Sequence, residues 1–205
     1  MKIGIFGGSF NPIHNGHIAL GECMLQAMQL DEVWYLVSPQ NPLKQSATDL
    51  IDERDRLHLV QLALEDRQGL RASDFEFSLP RPSYTWDTLQ ALHRSFPDNE
   101  FTLIIGGDNW VHFDKWAHHD EIVATHRIAI FPREDCHIDE STLPENVHLV
   151  HVPLVNVTST MLRRMIQNGE DIHPYVPAVV ADEIVRRRLY PPSLSAICTT
   201  IPSAR

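Results

Sequence analysis

Residues 4–17 read GIFGGSFNPIHNGH, and they follow directly on the apolar start of the chain. KIGIFG (2–7) is a short apolar run closed by glycine, the pattern of a buried strand. Gly7, Gly8, Ser9 and Phe10 come next. Glycines at a strand end allow a tight turn and let a phosphate approach the backbone. His14 and His17 stand three apart with Gly16 between them. A helix starting near Asn15 sets both imidazoles at its first turn, on one side, where unpaired N–H groups and the helix dipole favour an anion. The histidines read either as turn residues and caps or as half of a phosphate site, and the preceding G-G-S-F-N-P favours the second reading. The stretch is not G-x-G-x-x-G and has no G-K-[ST] ending, so it supports neither a dehydrogenase-type dinucleotide fold nor a P-loop NTPase.

Strand and helix alternate beyond this point. EVWYLVS (32–38), LRASDFEF (70–77, weaker), FTLIIGG (101–107), HRIAIFPR (126–133) and VHLVHVPL (147–154) read as strands. Helical spacing marks 16–30, 52–66, the stretch up to Phe96, segments through Phe113 and Ile122, the stretch from Thr158, and Pro177 to Arg188. About five strand–helix repeats predict an α/β fold, a doubly wound and mostly parallel Rossmann-like sheet, whose ligands bind beyond the carboxyl ends of the strands. The expected domain is 1–190. Residues 191–205 lack periodicity and read as a tail, disordered or docked on a neighbour.

The bulk numbers narrow the function. With 205 residues, 43% of them hydrophobic and 21% charged, the chain has the make-up of one ordinary globular domain. A net charge of −10 argues against a nucleic-acid binder, so positive contacts to an anionic ligand must be local. No run is long and apolar enough for a membrane span, and no secretory signal pattern is present. Three scattered cysteines argue for a reducing compartment, the cytoplasm. Twelve histidines include no zinc-site spacing, so no protein-held metal site is expected. A homo-oligomer is compatible with the sequence.

Other candidates follow the remaining strands. Lys44, after the second, is either solvated or a point charge for a phosphate. Thr85, in PSYTWDTL, can cap the next helix, whose N–H groups also suit a carboxylate. In G-G-D-N-W (106–110), Gly106 closes the strand, Asp108 suits ribose hydroxyls, and Trp110 reads as packing. Trp116 sits in polar surroundings and can stack on a ring. Arg133 has Glu134 and Asp135 as neighbours to pair with. Thr158, Ser159 and Thr160 crowd a helix start: one is a cap, and with Arg163 a turn later they make a phosphate cradle. Arg164 has no such support.

GGSFNPIHNGH resembles the G-G-[ST]-F-D-P-x-H-x-G-H signature of nucleotidyltransferases related to class I aminoacyl-tRNA synthetases, with Asn11 where Asp is common. VTSTMLR (157–163) resembles their I-S-S-T-x-[IL]-R motif, with Thr158 replacing the first serine. Over residues 1 to about 190 the chain is similar to bacterial nicotinate-nucleotide adenylyltransferases. That resemblance implies adenylyl transfer from ATP to nicotinate mononucleotide, giving nicotinate adenine dinucleotide and pyrophosphate. It implies His14, His17 and Arg163 as catalytic residues. It implies ATP contacts from Gly7, Gly8, Ser9, Phe10, Gly16, Gly106, Asp108, Arg133, Thr158, Ser159 and Thr160. Lys44, Thr85 and Trp116 would serve the acceptor, the tryptophan stacking on the nicotinate ring. Mg²⁺ is expected on the ATP phosphates and water. Relatives that use nicotinamide mononucleotide or phosphopantetheine remain alternatives, as does a non-catalytic nucleotide-binding regulator.

Overall fold

The computed structural model describes residues 1–39, 50–133, 136–152 and 156–191. Lys44 and the expected tail from 192 onward therefore lie outside the described residues. Six strands form one sheet: β1 (Lys2–Gly8), β2 (Glu32–Val37), β3 (Leu70–Ser73), β4 (Glu100–Gly106), β5 (Arg127–Phe131) and β6 (Val147–Leu149). All neighbours pair in parallel, in the order β3-β2-β1-β4-β5-β6. Ile5 stands between Trp34 of β2 and Leu103 of β4. The order reverses between β1 and β4, so the crevice at their carboxyl ends is the switch point where such sheets bind ligands.

The helices are α1 (Asn15–Ala27), α2 (Glu53–Leu64), α3 (Thr85–Ser95), α4 (Gly107–Trp110), α5 (His119–Thr125), α6 (Ser159–Gln167) and α7 (Ala178–Arg187). They cover both faces of the sheet. Period-two alternation of strand side chains divides the core accordingly. Phe6, Tyr35, Ile104 and Ala129 pack with Met24 of α1, Leu59 of α2, Leu162 of α6 and Ile184 of α7. Ile5, Leu36, Leu103 and Ile130 pack with Leu89 and Leu92 of α3 and Ile122 of α5. Each leucine, isoleucine, phenylalanine or methionine among them contributes about 1.5–3 kcal/mol on full burial.

Three elements depart from the sequence reading. The sixth strand, read over 147–154, ends at Leu149. The third strand stops at Ser73, and Phe75–Ser78 is a 3-10 turn, because Glu76 turns inward to hydroxyl partners instead of continuing the alternation. The first helix ends at Ala27 rather than near Leu30. Gln29 takes a left-handed φ of 52°, and the Leu30 N–H returns to the Leu25 carbonyl at 2.9 Å, the geometry of a helix stop.

Candidate active site

The loop after β1 delivers His14 as the N-cap of α1, with φ −148° and ψ 169°. His14 Nδ1 accepts the His17 N–H at 3.3 Å, and His17 Nδ1 accepts the His14 N–H at 3.3 Å. The two rings stack with centroids 3.6 Å apart and planes inclined at 21°. The capping and phosphate readings are therefore compatible. An Nδ1 that accepts a backbone N–H carries no proton, which puts the proton of each neutral ring on Nε2. Each cap thus turns its imidazole into an Nε2–H donor. Burial and the nearby Arg133 charge hold the His14 pKa down at about 4, so this ring is neutral at pH 7. The first turn of α1 contains no acidic side chain, which leaves its N–H groups suited to an anion.

Gly16 has a steric reason as well as a candidate ligand role. A Cβ there would lie 3.1 Å from His14 Nδ1 and 3.3 Å from Val157 Cγ1, crowding the stacked pair against the loop before α6. A Cβ at Gly7 would meet nothing within 4 Å among the described residues, whereas Gly8 lies under the Phe10 ring. Phe10 itself is 2% exposed and packs edge-on to Phe6 and His17. Its side chain belongs to the core, so only its backbone is available to a nucleotide.

The far end of the chain closes on this loop. Arg163 Nη1 donates to the Asn11 carbonyl at 2.9 Å, and the Ser159 hydroxyl donates to the Pro12 carbonyl at 2.9 Å. Thr158 is the N-cap of α6 and accepts the Met161 N–H at 3.1 Å. Thr160 Oγ1 accepts from Arg163 Nη2 at 3.4 Å. The expected cradle of three hydroxyls is thus differentiated. Ser159 has its proton committed to Pro12 and acts as a tie between loops. Thr158 accepts in its cap and keeps a proton to donate.

At the ends of β4 and β5, Arg133 Nε lies 3.6 Å from Asp108 Oδ1, with both side chains about half exposed. Gly106 is buried beneath Asp108. The guanidinium of Arg133 also lies over the Phe131 ring, 5.0 Å from its centroid.

Thr85 and Trp116 lie on one side of the sheet. The N-cap of α3 is Tyr84, with no side-chain capping bond, and Thr85 is the first helical residue, so Thr85 does not cap as the sequence suggested. Trp86, next in α3, stacks on His118 at 5.3 Å, which brings the segment after Trp116 against the amino end of α3. Trp116 is less isolated than its polar neighbours imply. Its ring lies 5.0 Å from Phe113, and its indole N–H is buried without a hydrogen-bond partner among the described residues. Trp110 stacks on the same Phe113 at 5.2 Å, in keeping with a packing role.

Arg56 and Tyr190 escaped the sequence reading as positioning residues, and Asn11 entered it only as a variant of the motif. Arg56 of α2 is 0% exposed and donates to the carbonyls of Ser9 (2.7 Å), Ser38 (2.8 Å), Ile51 (3.1 Å) and Pro39 (3.3 Å). It thereby ties the loop after β1 to the loop after β2. Asn11 Oδ1 accepts from the Tyr190 hydroxyl at 2.9 Å and from the Ile51 N–H at 3.4 Å. A neutral amide does this at 3% exposure without burying a charge, which accounts for Asn in place of the commoner Asp. The signal for Arg56 was its place on the apolar face of α2, three and four residues before Leu59 and Val60.

The family model described as cytidylyltransferase-like matches residues 5–165. A protein of Bacteroides thetaiotaomicron, named probable nicotinate-nucleotide adenylyltransferase, is 48% identical over 180 residues, covering 86% of this chain and 89% of that one. One of the same name from Bacteroides fragilis is 46% identical over 186 residues, covering 91% and 92%. The solved structure of Plasmodium falciparum nicotinic acid mononucleotide adenylyltransferase complexed with NaAD superposes with a TM-score of 0.78 at 22% identity, covering 92% of this chain and 97% of that one, a likeness of fold.

Proposed function

This chain belongs to the cytidylyltransferase-like family and, within it, to the nicotinate-nucleotide adenylyltransferases, and on that premise we propose how its residues carry out the reaction. The enzyme transfers the adenylyl group of ATP to nicotinate mononucleotide, yielding nicotinate adenine dinucleotide and pyrophosphate, a step of NAD biosynthesis. One observation carries the assignment of roles. The His14–His17 cap, the amino end of α6 and Arg163 are locked together through the carbonyls of Asn11 and Pro12.

An oxygen of the acceptor's 5′-phosphate attacks the α-phosphorus of ATP in line. A P–O bond forms to that oxygen, and the bond from the α-phosphorus to the α,β-bridging oxygen breaks, releasing pyrophosphate. The attacking group is already an anion, so no general base is needed. The protein's work is positioning and charge stabilisation. The Nε2–H groups of His14 and His17 donate to the α- and β-phosphates, joined by backbone N–H groups at the start of α1. Arg163, the Thr158 and Thr160 hydroxyls and the α6 amino end hold the departing pyrophosphate, and Ser159 contributes its backbone N–H. Gly7, Gly8, Ser9 and the Phe10 backbone line the nucleotide path. Asp108 accepts from the ribose, with Arg133 beside it. Lys44, Thr85 and Trp116 serve the acceptor.

With ATP supplied as its Mg²⁺ complex, the ion would be carried by the substrate rather than by protein side chains and would offset charge on the leaving group. The donors at this site are mainly N–H groups, which suit phosphates. Among the described residues no three His, Cys, Asp or Glu side chains gather as metal ligands. Nor, among them, is any helix long and apolar enough to cross a membrane. We place the enzyme in the cytoplasm, with residues 1–190 as its catalytic domain.

The test is pyrophosphate release with ATP and Mg²⁺, comparing nicotinate mononucleotide, nicotinamide mononucleotide and phosphopantetheine. A preference of about 100-fold for the first, about 2.7 kcal/mol, is expected. Preference for either other acceptor overturns the assignment of acceptor while leaving the ATP site standing.

A further inference from the structure

Glu76 is a carboxylate with 9% exposure, placed in the 3-10 turn after β3 and away from the histidine cap. It accepts from Thr88 Oγ1 at 3.0 Å and from Ser83 Oγ at 3.4 Å, and the Ser38 hydroxyl is a third donor. The three hydroxyls come from three places: α3, the turn before it, and the end of β2. Among the described residues no lysine, arginine or histidine forms an ion pair with Glu76. Burial accordingly raises its carboxyl pKa, against the lowering effect of the hydroxyls.

A carboxylate buried among hydroxyls alone is a costly way to fill space. An apolar side chain of similar volume would serve stability as well or better. What the carboxylate supplies is a fixed meeting point for three donors. Ser38 extends that point toward the nucleotide. Its N–H donates to the Gly8 carbonyl at 2.9 Å, and its own carbonyl accepts from Arg56 at 2.8 Å. A continuous hydrogen-bonded path therefore runs from the phosphate loop at Gly8, through Ser38 and Glu76, to Thr88, three residues after Thr85.

We propose that Glu76 is a positioning residue for the acceptor nucleotide, holding the amino end of α3 at a set distance from the phosphate loop through Ser38 on one side and Ser83 and Thr88 on the other. The proposal rests on reading Thr85 and Trp116 as the acceptor side. It matters to catalysis because in-line attack tolerates little displacement between the acceptor phosphate and the α-phosphorus.

The experiment compares wild type with Glu76→Gln, Glu76→Ala and Ser38→Ala in steady-state kinetics, varying each substrate in turn. Glu76→Ala is expected to raise the KM for nicotinate mononucleotide about tenfold or more while the KM for ATP stays within about twofold. Glu76→Gln recovers part of the loss, since its amide oxygen still accepts from a hydroxyl. Ser38→Ala moves the acceptor KM the same way, and its effect is less than additive with Glu76→Gln. A merely structural loss lowers the active fraction and leaves both KM values unchanged. Unchanged KM values, or equal rises in both, overturn the proposal. If wild type yields no pyrophosphate with any acceptor, the functional reading fails instead. Hydrogen exchange at Thr88 and Leu89, the first hydrogen-bonded amides of α3, then decides on Glu76: exchange about tenfold faster in Glu76→Ala supports its hold on α3, and unchanged exchange overturns it.

Discussion

Arg163 donates to the backbone carbonyl of Asn11 at 2.9 Å, across 152 residues of chain. A guanidinium can hold that carbonyl with one nitrogen and turn others to a phosphate, because its donors diverge in a rigid fork. Lysine offers one charged nitrogen for both tasks. Arg163→Lys is therefore expected to lower kcat about 10- to 100-fold, with the loss of a charge-assisted bidentate contact. Steady-state kinetics beside a thermal melt measure this. Wild-type kcat in the lysine variant would remove the fork from the mechanism.

Gly21 of α1 faces Tyr35, whose hydroxyl donates to the His17 carbonyl at 2.9 Å. A Cβ at position 21 would run into that hydroxyl and lie 2.8 Å from Cζ. Glycine-to-alanine inside a helix ordinarily stabilises by about 1 kcal/mol, but overpacking costs about 1–3 kcal/mol. The clash is expected to win, so Gly21→Ala lowers stability in urea unfolding. Adding Tyr35→Phe removes the hydroxyl part of the clash and recovers part of the loss, because Cζ stays 2.8 Å away. If Gly21→Ala alone were stabilising, the contact would be softer than the geometry implies.

The pKa of His14, held at about 4 against an ordinary 6.5, sets a pH dependence. Below pH 6.5 the unfolded chain takes up a proton that the folded chain refuses, so stability falls as pH falls from about 6.5 toward 4. The loss reaches on the order of 3 kcal/mol from this residue. Above 6.5 the term vanishes. His14→Asn keeps a capping acceptor and removes the titration. Urea unfolding of both proteins at pH 7 and 4.5 should show a steeper decline in wild type, and parallel declines would refute the assignment.

Asp108 and Arg133 form an ion pair 3.6 Å long between half-exposed side chains. Such pairs contribute about 0–1 kcal/mol. Asp108→Asn is thus expected to leave the melting temperature nearly unchanged, yet to raise the KM for ATP about tenfold through the lost charged acceptor for ribose. A marked loss of stability with ATP binding intact would make the pair structural.

How far the chain could be read in advance follows from how local each signal is. The β1 strand, its glycine turn and the two histidines sit within sixteen residues, and the strand–helix alternation is periodic, so both were legible. Arg56 was not, because arginine almost never lies fully buried unless its donors are met, and its four carbonyl partners come from two separate loops. Thr158, Ser159 and Thr160 are chemically alike. Only the path of the chain into α6 decides that the first caps and the second ties to Pro12. Thr85 missed its cap by one position because Tyr84 already holds the extended φ and ψ of −89° and 146°. Glu76 broke the strand pattern for a polar reason that alternation cannot show.

The closure of residues 9–14 on residues 158–163 also has a consequence in time. On the ribosome, the histidine cap emerges well before the arginine that completes it. At translation rates of about 5–20 residues per second, the intervening stretch takes roughly 7–30 s to make. Throughout that interval the nascent chain carries a glycine turn and paired imidazoles without the clamp for the leaving group. On the roles proposed for these residues, competence is expected only with the C-terminal helices, so unfinished or truncated products should bind ATP poorly and should not consume it.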